Sequence, residues 1–228
     1  MIAVLVITDG RGEYLRRSVE SLEQHFTGRI SEKVMFDDSG SAEHRGTLAA
    51  LYPQWVHVNA GPRQGFGGAI IAAWDHLRRY SAAEYVAHCE ADFVYGSTVD
   101  LDAMAFLLDS EPHLAQVALL RQPWNAEEIA AGGIIEQHPG DYHDTEKHGI
   151  RWVEHRRFFT TNPCLYRRSL LSVGWPNVDN SEGIFTHRLL SDGTPETSGD
   201  RVRFAFWGTK QDPPAVEHIG VSRAGVGY

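Results

Sequence analysis

The sequence predicts an α/β fold built on a mostly parallel sheet flanked by helices. Apolar, β-branched runs alternate with helical periodicities over the first hundred residues, as in strands joined by crossover helices. These runs are nearly continuous in apolar residues, which is typical of strands buried on both faces. The 228 residues, 42% of them hydrophobic, suffice for one core. We therefore expect a single domain over residues 1–228.

The first predicted unit is a strand, a helix and a second strand. Residues 2–7 form an apolar run that ends at Asp9 and Gly10. Apolar residues then recur at spacings of 4, 3 and 4, as on one face of a helix: Leu15, Val19, Leu22 and Phe26. Residues 33–36 start a second strand, which stops at Asp37 and Asp38.

The second predicted unit repeats this order. A short strand over residues 55–58 precedes a glycine-rich stretch, 61–68, and a helix that starts near Ala69. The next strand, 85–89, runs directly into Glu90 and Asp92. The carboxyl ends of parallel strands meet at one edge of a sheet, so the three acidic turns are expected to form one site there.

The second half is predicted to be less regular. We expect a helix near 104–108, strands near 117–120 and 158–166, and short helices over 168–173 and 184–190. Two segments lack periodicity and are rich in turn-forming or polar residues. Residues 122–150 and 191–214 are therefore predicted to be flexible loops.

Charge and cysteine content narrow the class of protein. The 30 acidic and 21 basic residues give a net charge of −9, which argues against a protein that binds nucleic acid through its phosphates. The apolar run at residues 2–7 is too short for a membrane span. Cys89 and Cys164 are expected to be buried free thiols. The sequence thus predicts a cytoplasmic protein without a membrane partner.

The acidic pair Glu90 and Asp92 is the strongest single feature. Two carboxylates one residue apart at the end of a buried strand can direct their oxygens toward one hard cation. Mg²⁺ or Mn²⁺ held in this way commonly bridges the phosphates of a nucleotide. The alternative is a solvated turn, because turns recruit Asp freely.

Four segments follow one another in the order and spacing of a known family: residues 4–22, 35–41, 65–69 and 90–92. Together they resemble the GT-A fold glycosyltransferases, specifically the family-two-like inverting enzymes. The resemblance covers residues 2–110, and 155–190 more loosely. Glu90 replaces the first acid of the family's Asp-x-Asp.

The resemblance implies that the acidic turns and the glycine-rich stretch hold the nucleotide. The implied set comprises Thr8, Asp9, Arg11, Asp37, Asp38, Gly65, Gly68 and Glu90. Acids that accept from a base N–H or from ribose hydroxyls are sound hydrogen-bond chemistry. Capping of the first helix remains an alternative role for Asp9, and helix packing remains one for the glycines.

The resemblance also implies a general base in the second half. The family commonly has a Glu-Asp pair before an Arg-Leu, with the Asp as base. Here Glu182 occupies the base position, six residues before Arg188, and Ser181 replaces the Glu. Asp179 is the fallback base. The alternative for Glu182 is a helix N-terminal acid that the helix dipole favours.

A late histidine completes the implied metal site. His218 resembles the third metal ligand of several GT-A enzymes. Together with Asp92 and phosphate oxygens it would hold Mn²⁺ or Mg²⁺. An ordinary surface or core histidine is the alternative.

The resemblance therefore implies a metal-dependent, inverting glycosyltransferase. Residues 1–110 would bind a nucleotide-diphosphate sugar, linked to UDP or GDP, and residues 111–228 would face the acceptor. The acceptor hydroxyl would belong to a protein, a glycan or, in a phage-like setting in the host cytoplasm, a modified nucleobase. A nucleotidyltransferase and a catalytically inactive sugar-nucleotide-binding protein are the alternatives.

Overall fold

A computed structural model describes residues 1–59 and 61–220. Its strands are β1 (Ile2–Thr8), β2 (Phe26–Thr27), β3 (Ile30–Asp37), β4 (Val56–Asn59), β5 (Tyr85–Glu90), β6 (Phe93–Tyr95), β7 (Val99–Asp100), β8 (Leu114–Ala118), β9 (Tyr142–Lys147), β10 (Ile150–His155), β11 (Cys164–Arg167), β12 (Arg203–Trp207) and β13 (Val216–His218). Its helices are α1 (Gly12–His25), α2 (Ala42–Leu51), α3 (Gly65–Tyr80), α4 (Leu101–Ser110), α5 (Ala126–Ala131), α6 (Ile134–Gln137) and α7 (Ser181–Asp192). Two 3-10 turns cover Pro139–Asp141 and Arg168–Val173.

Nine of the strands form one sheet in the order β4-β3-β1-β5-β11-β8-β12-β10-β9. Strands β4, β3, β1 and β5 are parallel neighbours. Only β11 and β10 run against the direction of the other seven. The predicted fold class, α/β with a mostly parallel central sheet, is confirmed. Both halves of the chain contribute strands to this sheet.

Strand β1 is buried on both faces, as its apolar run predicts. Val4 and Val6 pack in the cluster that includes the apolar face of α1. Ala3 and Leu5 pack on the opposite face, in the cluster that includes α3. Alternation along the strand thus gives each face of the sheet its own core.

The register brings the three acidic turns to one edge of the sheet. Thr8 at the end of β1 pairs with Asp37 at the end of β3. On the other side of β1, Ile7 pairs with Glu90 at the end of β5. The predicted meeting of the acidic turns is therefore confirmed.

The prediction of a flexible loop over residues 122–150 is wrong. This segment contains α5, α6, the first 3-10 turn and β9, which pairs antiparallel with β10. The β9–β10 turn places both His148 and Gly149 at positive φ, as a two-residue type I′ hairpin requires. Strand β9 is an edge strand with mostly exposed, polar side chains. Its sequence therefore lacks the alternation of apolar residues from which a strand is predicted.

The prediction of a loop over residues 191–214 is wrong at the end of α7 and at β12. It overlooks β12, which lies inside the sheet between β8 and β10. Gly193 and Gly199, in the turns before it, approach neighbouring backbone so closely that an added Cβ would collide at 2.3 and 2.5 Å. The turn residues therefore pack tightly rather than marking a mobile loop.

Cys89 and Cys164 are buried and free, as predicted. None of the helices within residues 1–59 and 61–220 has both the length and the apolar character that a membrane crossing needs.

Candidate functional site

A cavity opens at the sheet edge where β1, β3 and β5 end. Most of the residues implied for nucleotide and metal binding line it: Thr8, Asp9, Arg11, Asp38, Gly65, Glu90 and Asp92. Helix α3 contributes Phe66, Ala69 and Ile70, and β5 contributes His88. Asp37, Gly68, Glu182, Asp179 and His218 are not part of this lining.

Asp38 forms the β3 side of the cavity and anchors the start of α3. Its Oδ1 accepts from the backbone N–H of Gln64 at 2.7 Å, and its Oδ2 accepts from that of Gly65 at 2.9 Å. Burial raises the pKa of Asp38, although these N–H groups oppose the effect. Asp38 therefore acts first as a cap for the unpaired N–H groups of the helix terminus.

Asp37 and Gly68 serve local structure. The Asp37 carboxylate accepts from the backbone N–H and the hydroxyl of Ser39, at 3.1 and 2.8 Å. A Cβ added at Gly68 would lie 2.7 Å from Cβ of Gln64, which agrees with the packing role weighed for this glycine. Neither residue is brought into the cavity.

Arg11 connects two of the acidic turns across the cavity. Its Nε donates to Asp9 Oδ1 at 2.8 Å, and its Nη2 donates to Asp92 Oδ2 at 2.8 Å. Burial acts to lower the pKa of Arg11, but the two carboxylates outweigh it and the pKa is raised. The N-cap of α1 is Arg11, without a side-chain cap bond. The alternative role of Asp9 as a cap for α1 is therefore not supported.

The two carboxylate oxygens of Asp92 differ in their contacts, since polar side chains contact Oδ2 but not Oδ1 among the described residues. It is 5% exposed, and His218 Nε2 lies 3.4 Å from the same Oδ2 that Arg11 contacts. Oδ1 is buried and has no hydrogen-bond partner within the described residues. Burial acts to raise the pKa of Asp92, but His218 and Arg11 outweigh it and the pKa is lowered. Asp92 is thus held as a carboxylate.

The last described strand brings His218 to Asp92. Strand β13 pairs with β6, so His218 stands opposite Phe93, and the backbone N–H of Ile219 donates to the Asp92 carbonyl at 2.8 Å. A Cβ added at Gly220 would lie 2.2 Å from Asp92 Oδ2. Only glycine at position 220 leaves space for this carboxylate.

A second segment holds His218 from behind. The side chain of Gln122 exchanges two hydrogen bonds of 2.9 Å with the His218 backbone, and the Trp124 ring centroid lies 4.0 Å from that of the imidazole. Buried Glu128 binds Arg121 through both oxygens and also accepts from the backbone N–H of Trp124. The start of the segment 122–150, which was predicted to be a loop, therefore holds the candidate metal ligand His218 in place.

Asp92 and His218 fit a divalent cation that completes its coordination with phosphate oxygens. The unpartnered Asp92 Oδ1 is an available hard ligand, and carboxylate oxygen is what Mg²⁺ and Mn²⁺ prefer. In the described part of the chain, no group of three His, Cys, Asp or Glu side chains converges as a complete metal site. The protein would therefore supply two ligands and the substrate the remainder.

Glu182 lies at the start of α7, close to Glu90. Its Oε1 accepts from the backbone N–H and the hydroxyl of Thr161, at 2.7 and 2.9 Å. Burial, then the charge of Asp92 and more weakly that of Glu182, raise the pKa of Glu90. Asp179, the fallback base, is exposed. The charge of Glu182 thus acts on Glu90, although Glu182 itself does not line the cavity.

Sequence reasoning missed His88, which is 1% exposed and lines the cavity. Strand alternation supplies the signal that was available, because residues two apart share a face of a strand. His88 therefore lies on the same face of β5 as Glu90.

The sequence matches no protein-family model and no curated protein, but the fold has close structural counterparts. A crystal structure of GalNAc-T7 with UDP, GalNAc and Mn²⁺ matches with a TM-score of 0.64 at 12% identity, covering 96% of this chain. Staphylococcus aureus TarS residues 1–349 match with TM-scores of 0.56 in complex with UDP and 0.55 in complex with UDP-GlcNAc. These TarS matches have 15% and 16% identity and cover 90% and 98% of this chain.

The chain spans 43% of the GalNAc-T7 chain and 59–61% of the TarS chains. At these identities the likeness establishes the architecture alone. The chain has the GT-A fold.

Proposed function

We propose that this protein is a glycosyltransferase that moves a sugar from a UDP-linked donor to an acceptor hydroxyl. The observation that carries the proposal is the cavity at the carboxyl edge of the sheet, where Arg11 and the Asp92 carboxylate meet. The positive guanidinium of Arg11 could bind a diphosphate, and Oδ1 of Asp92, which has no partner among the described residues, could bind the metal ion that accompanies it.

The structural counterparts support the choice of donor. GalNAc-T7 was solved with UDP and Mn²⁺, and TarS with UDP and with UDP-GlcNAc. Of the UDP- and GDP-linked sugars that the sequence resemblance implies, these structural counterparts favour UDP. The acceptor hydroxyl would belong to a protein, a glycan or a modified nucleobase.

The proposed reaction is an in-line displacement with inversion. The acceptor oxygen forms a bond to the anomeric carbon while the bond from that carbon to the diphosphate oxygen breaks. Glu182 takes the proton of the attacking hydroxyl, a role for which a carboxylate is suited. Arg11 binds and orients the diphosphate. A divalent cation bound by Asp92 and His218 would supply further neutralisation of the leaving group.

The organisation of the chain is part of the proposal. Residues 1–110 would form the donor-binding half and residues 111–228 the acceptor side of one domain. The two buried free cysteines agree with action in a reducing cytoplasm.

A donor panel tests the proposal. Purified protein is incubated with UDP- and GDP-linked sugars and Mn²⁺, and nucleotide release is measured, with Asp92→Asn as the matched control. Slow Mn²⁺-dependent release of UDP from one donor is the expected result. Diphosphate release from UTP and a sugar 1-phosphate would instead identify a nucleotidyltransferase. Donor binding without turnover, even with candidate acceptors, would identify an inactive binding protein.

A further inference from the structure

The floor of the cavity holds a buried histidine that the proposed reaction does not use. His88 lies on β5 and is 1% exposed. Its Nε2 has no hydrogen-bond partner within the described residues. A buried polar atom without a partner costs about 1–3 kcal/mol, so native proteins rarely keep one without a reason.

The other ring nitrogen of His88 is fixed by two buried side chains. Nδ1 lies 3.3 Å from the hydroxyl oxygen of Tyr166, and this oxygen accepts from Trp74 Nε1 at 3.0 Å. Indole Nε1 can only donate, so the hydroxyl keeps its own proton for one further partner. Among the described residues, His88 Nδ1 is the one acceptor within hydrogen-bond distance. Nδ1 therefore accepts from Tyr166.

This contact determines where the imidazole proton lies. Burial lowers the pKa of His88 to about 4, so the ring is neutral at pH 7. A neutral imidazole has one donor and one acceptor nitrogen. Because Nδ1 accepts, Nε2 carries the proton. His88, a residue of the cavity lining, thus holds an uncharged N–H donor that has no partner among the described residues.

The position of His88 indicates which part of a donor molecule it meets. It lies on β5, the strand that leads into Asp92, two residues before Glu90 and on the same face as Glu90. Asp38 lies at the end of β3, two strands away in the sheet. His88 is therefore at the reaction end of the cavity rather than at the end that Asp38 and Gly65 form.

We propose that His88 Nε2–H donates a hydrogen bond to an uncharged oxygen of the transferred sugar and thereby determines sugar specificity. This inference rests on the proposed function and adds a sugar subsite to it. An uncharged donor suits a hydroxyl or carbonyl oxygen, whereas the neighbouring Arg11 suits the charged diphosphate. Tyr166 and Trp74 would be positioning residues, because they would reach the sugar through the imidazole rather than by direct contact.

Calorimetry with UDP and with UDP-linked hexoses and N-acetylhexosamines tests the subsite. In His88→Phe, the affinity for the best UDP-sugar is expected to fall about tenfold, the loss of one net hydrogen bond. The affinity for UDP alone should stay within about twofold of the wild-type value. His155→Phe is the matched control, because His155 is equally buried but lies outside this cavity. It should change neither affinity.

Two further measurements separate recognition from a structural role. His88→Gln can place an amide N–H near the Nε2 position and is expected to restore most of the sugar-dependent affinity. Nitrogen NMR of histidine-labelled protein should show His88 protonated at Nε2, with a shift on addition of UDP-sugar but not of UDP. Melting temperatures of all variants check that each protein is folded.

Several outcomes would overturn the inference. Equal losses for UDP and UDP-sugar in His88→Phe would assign the residue to the nucleotide or to structure. An unchanged UDP-sugar affinity, or a proton found on Nδ1, would remove the sugar contact while leaving the proposed function intact. If the wild-type protein binds neither UDP nor any UDP-sugar, the proposed function falls and the subsite with it.

Discussion

The two ends of the cavity are built in opposite ways. At the β3 end, both oxygens of Asp38 accept backbone N–H groups of α3, so this carboxylate is satisfied before any ligand arrives. At the β5 end, Asp92 Oδ1 and His88 Nε2 are buried and have no hydrogen-bond partner among residues 1–59 and 61–220. At the β3 end the hydrogen bonds of the carboxylate are formed within the folded chain, whereas at the β5 end polar atoms remain that a ligand could contact. Substitutions at the two ends should therefore fail in different ways.

The largest expected effect is on the rate at the β5 end. Glu182→Gln keeps the size of the side chain and can still accept from Thr161, but it cannot take a proton. Turnover is expected to fall roughly 10²–10⁴-fold, in kcat rather than in the KM for the donor. Steady-state kinetics with Glu20→Gln, an exposed acid on α1, as control measure this. Near-normal kcat with a lowered melting temperature would make Glu182 a structural acid and move the base to Asp179.

A second large effect is expected at Asp92. Asp92→Asn should reduce Mn²⁺-dependent UDP release roughly 10²–10³-fold, the usual cost of losing one electrostatic contact to the leaving group. We expect UDP and Mn²⁺ to raise the melting temperature of the wild-type protein, and this rise should be absent in Asp92→Asn. Asp102→Asn, at the start of α4, is the control. A folded Asp92→Asn variant with full Mn²⁺-dependent activity would contradict the assignment.

The contribution of Glu128, which holds the segment behind His218, to the stability of the fold should depend on pH. Burial acts to raise the pKa of Glu128, but Arg121 and the nearby N–H groups outweigh it and lower the pKa. A lowered pKa means that the charged form stabilises the fold above about pH 4.3, the unfolded value, and that this contribution is lost as the pH falls through the folded pKa.

Glu128→Gln should therefore lower the free energy of unfolding by about 1.5–3 kcal/mol at pH 7. The difference from wild type should close as the pH falls through the lowered pKa of Glu128 in the folded protein. Urea unfolding at several pH values measures it, with the exposed neighbour Glu127→Gln as control. A pH-independent difference would mean that the ion pair with Arg121 is not its cause.

The smallest effect is expected at the β3 end, where a substitution should lower the stability of the fold more than it weakens UDP binding. Asp38→Asn replaces one acceptor oxygen with an N–H₂ group and leaves one N–H of α3 unpaired, at a cost of about 1–2 kcal/mol. The melting temperature should drop by about 2–4 °C per kcal/mol, and UDP affinity should weaken up to about tenfold. Thermal scans and calorimetry, with Asp75→Asn on the exposed side of α3 as control, measure both. An unchanged melting temperature with a large loss of UDP affinity would erase the contrast between the two ends.

Local patterns were sufficient to predict the parallel half of the sheet and its acidic edge. The apolar run of β1 and the spacing of α1 follow from burial on a strand and on a helix face, and parallel pairing then brings Asp9 and Asp92 together. The same patterns fail at β9, where exposure removes the alternation, and at β12, a five-residue strand among glycine- and proline-rich turns.

The finer chemistry of the site depends on contacts between distant parts of the chain. Tyr166 sets the proton of His88 from 78 residues away, and Gln122 holds His218 from 96 residues away. No local spacing encodes these pairs. The capping role of Asp38 was likewise hidden, because its partners on α3 lie 26 and 27 residues further along the chain.

Because Gly220 lies against Asp92, the surroundings of this carboxylate are complete only after a late part of the chain has been synthesised. On the ribosome, β1, β3 and β5 are available early, and so is the Asp92 side chain. Its surroundings are finished only when residues 216–220 emerge, pair with β6 and place the glycine against the carboxylate. A nascent chain stopped before Val216 would thus carry the acidic edge without His218. The proposed metal site can therefore be completed only after this segment has been synthesised.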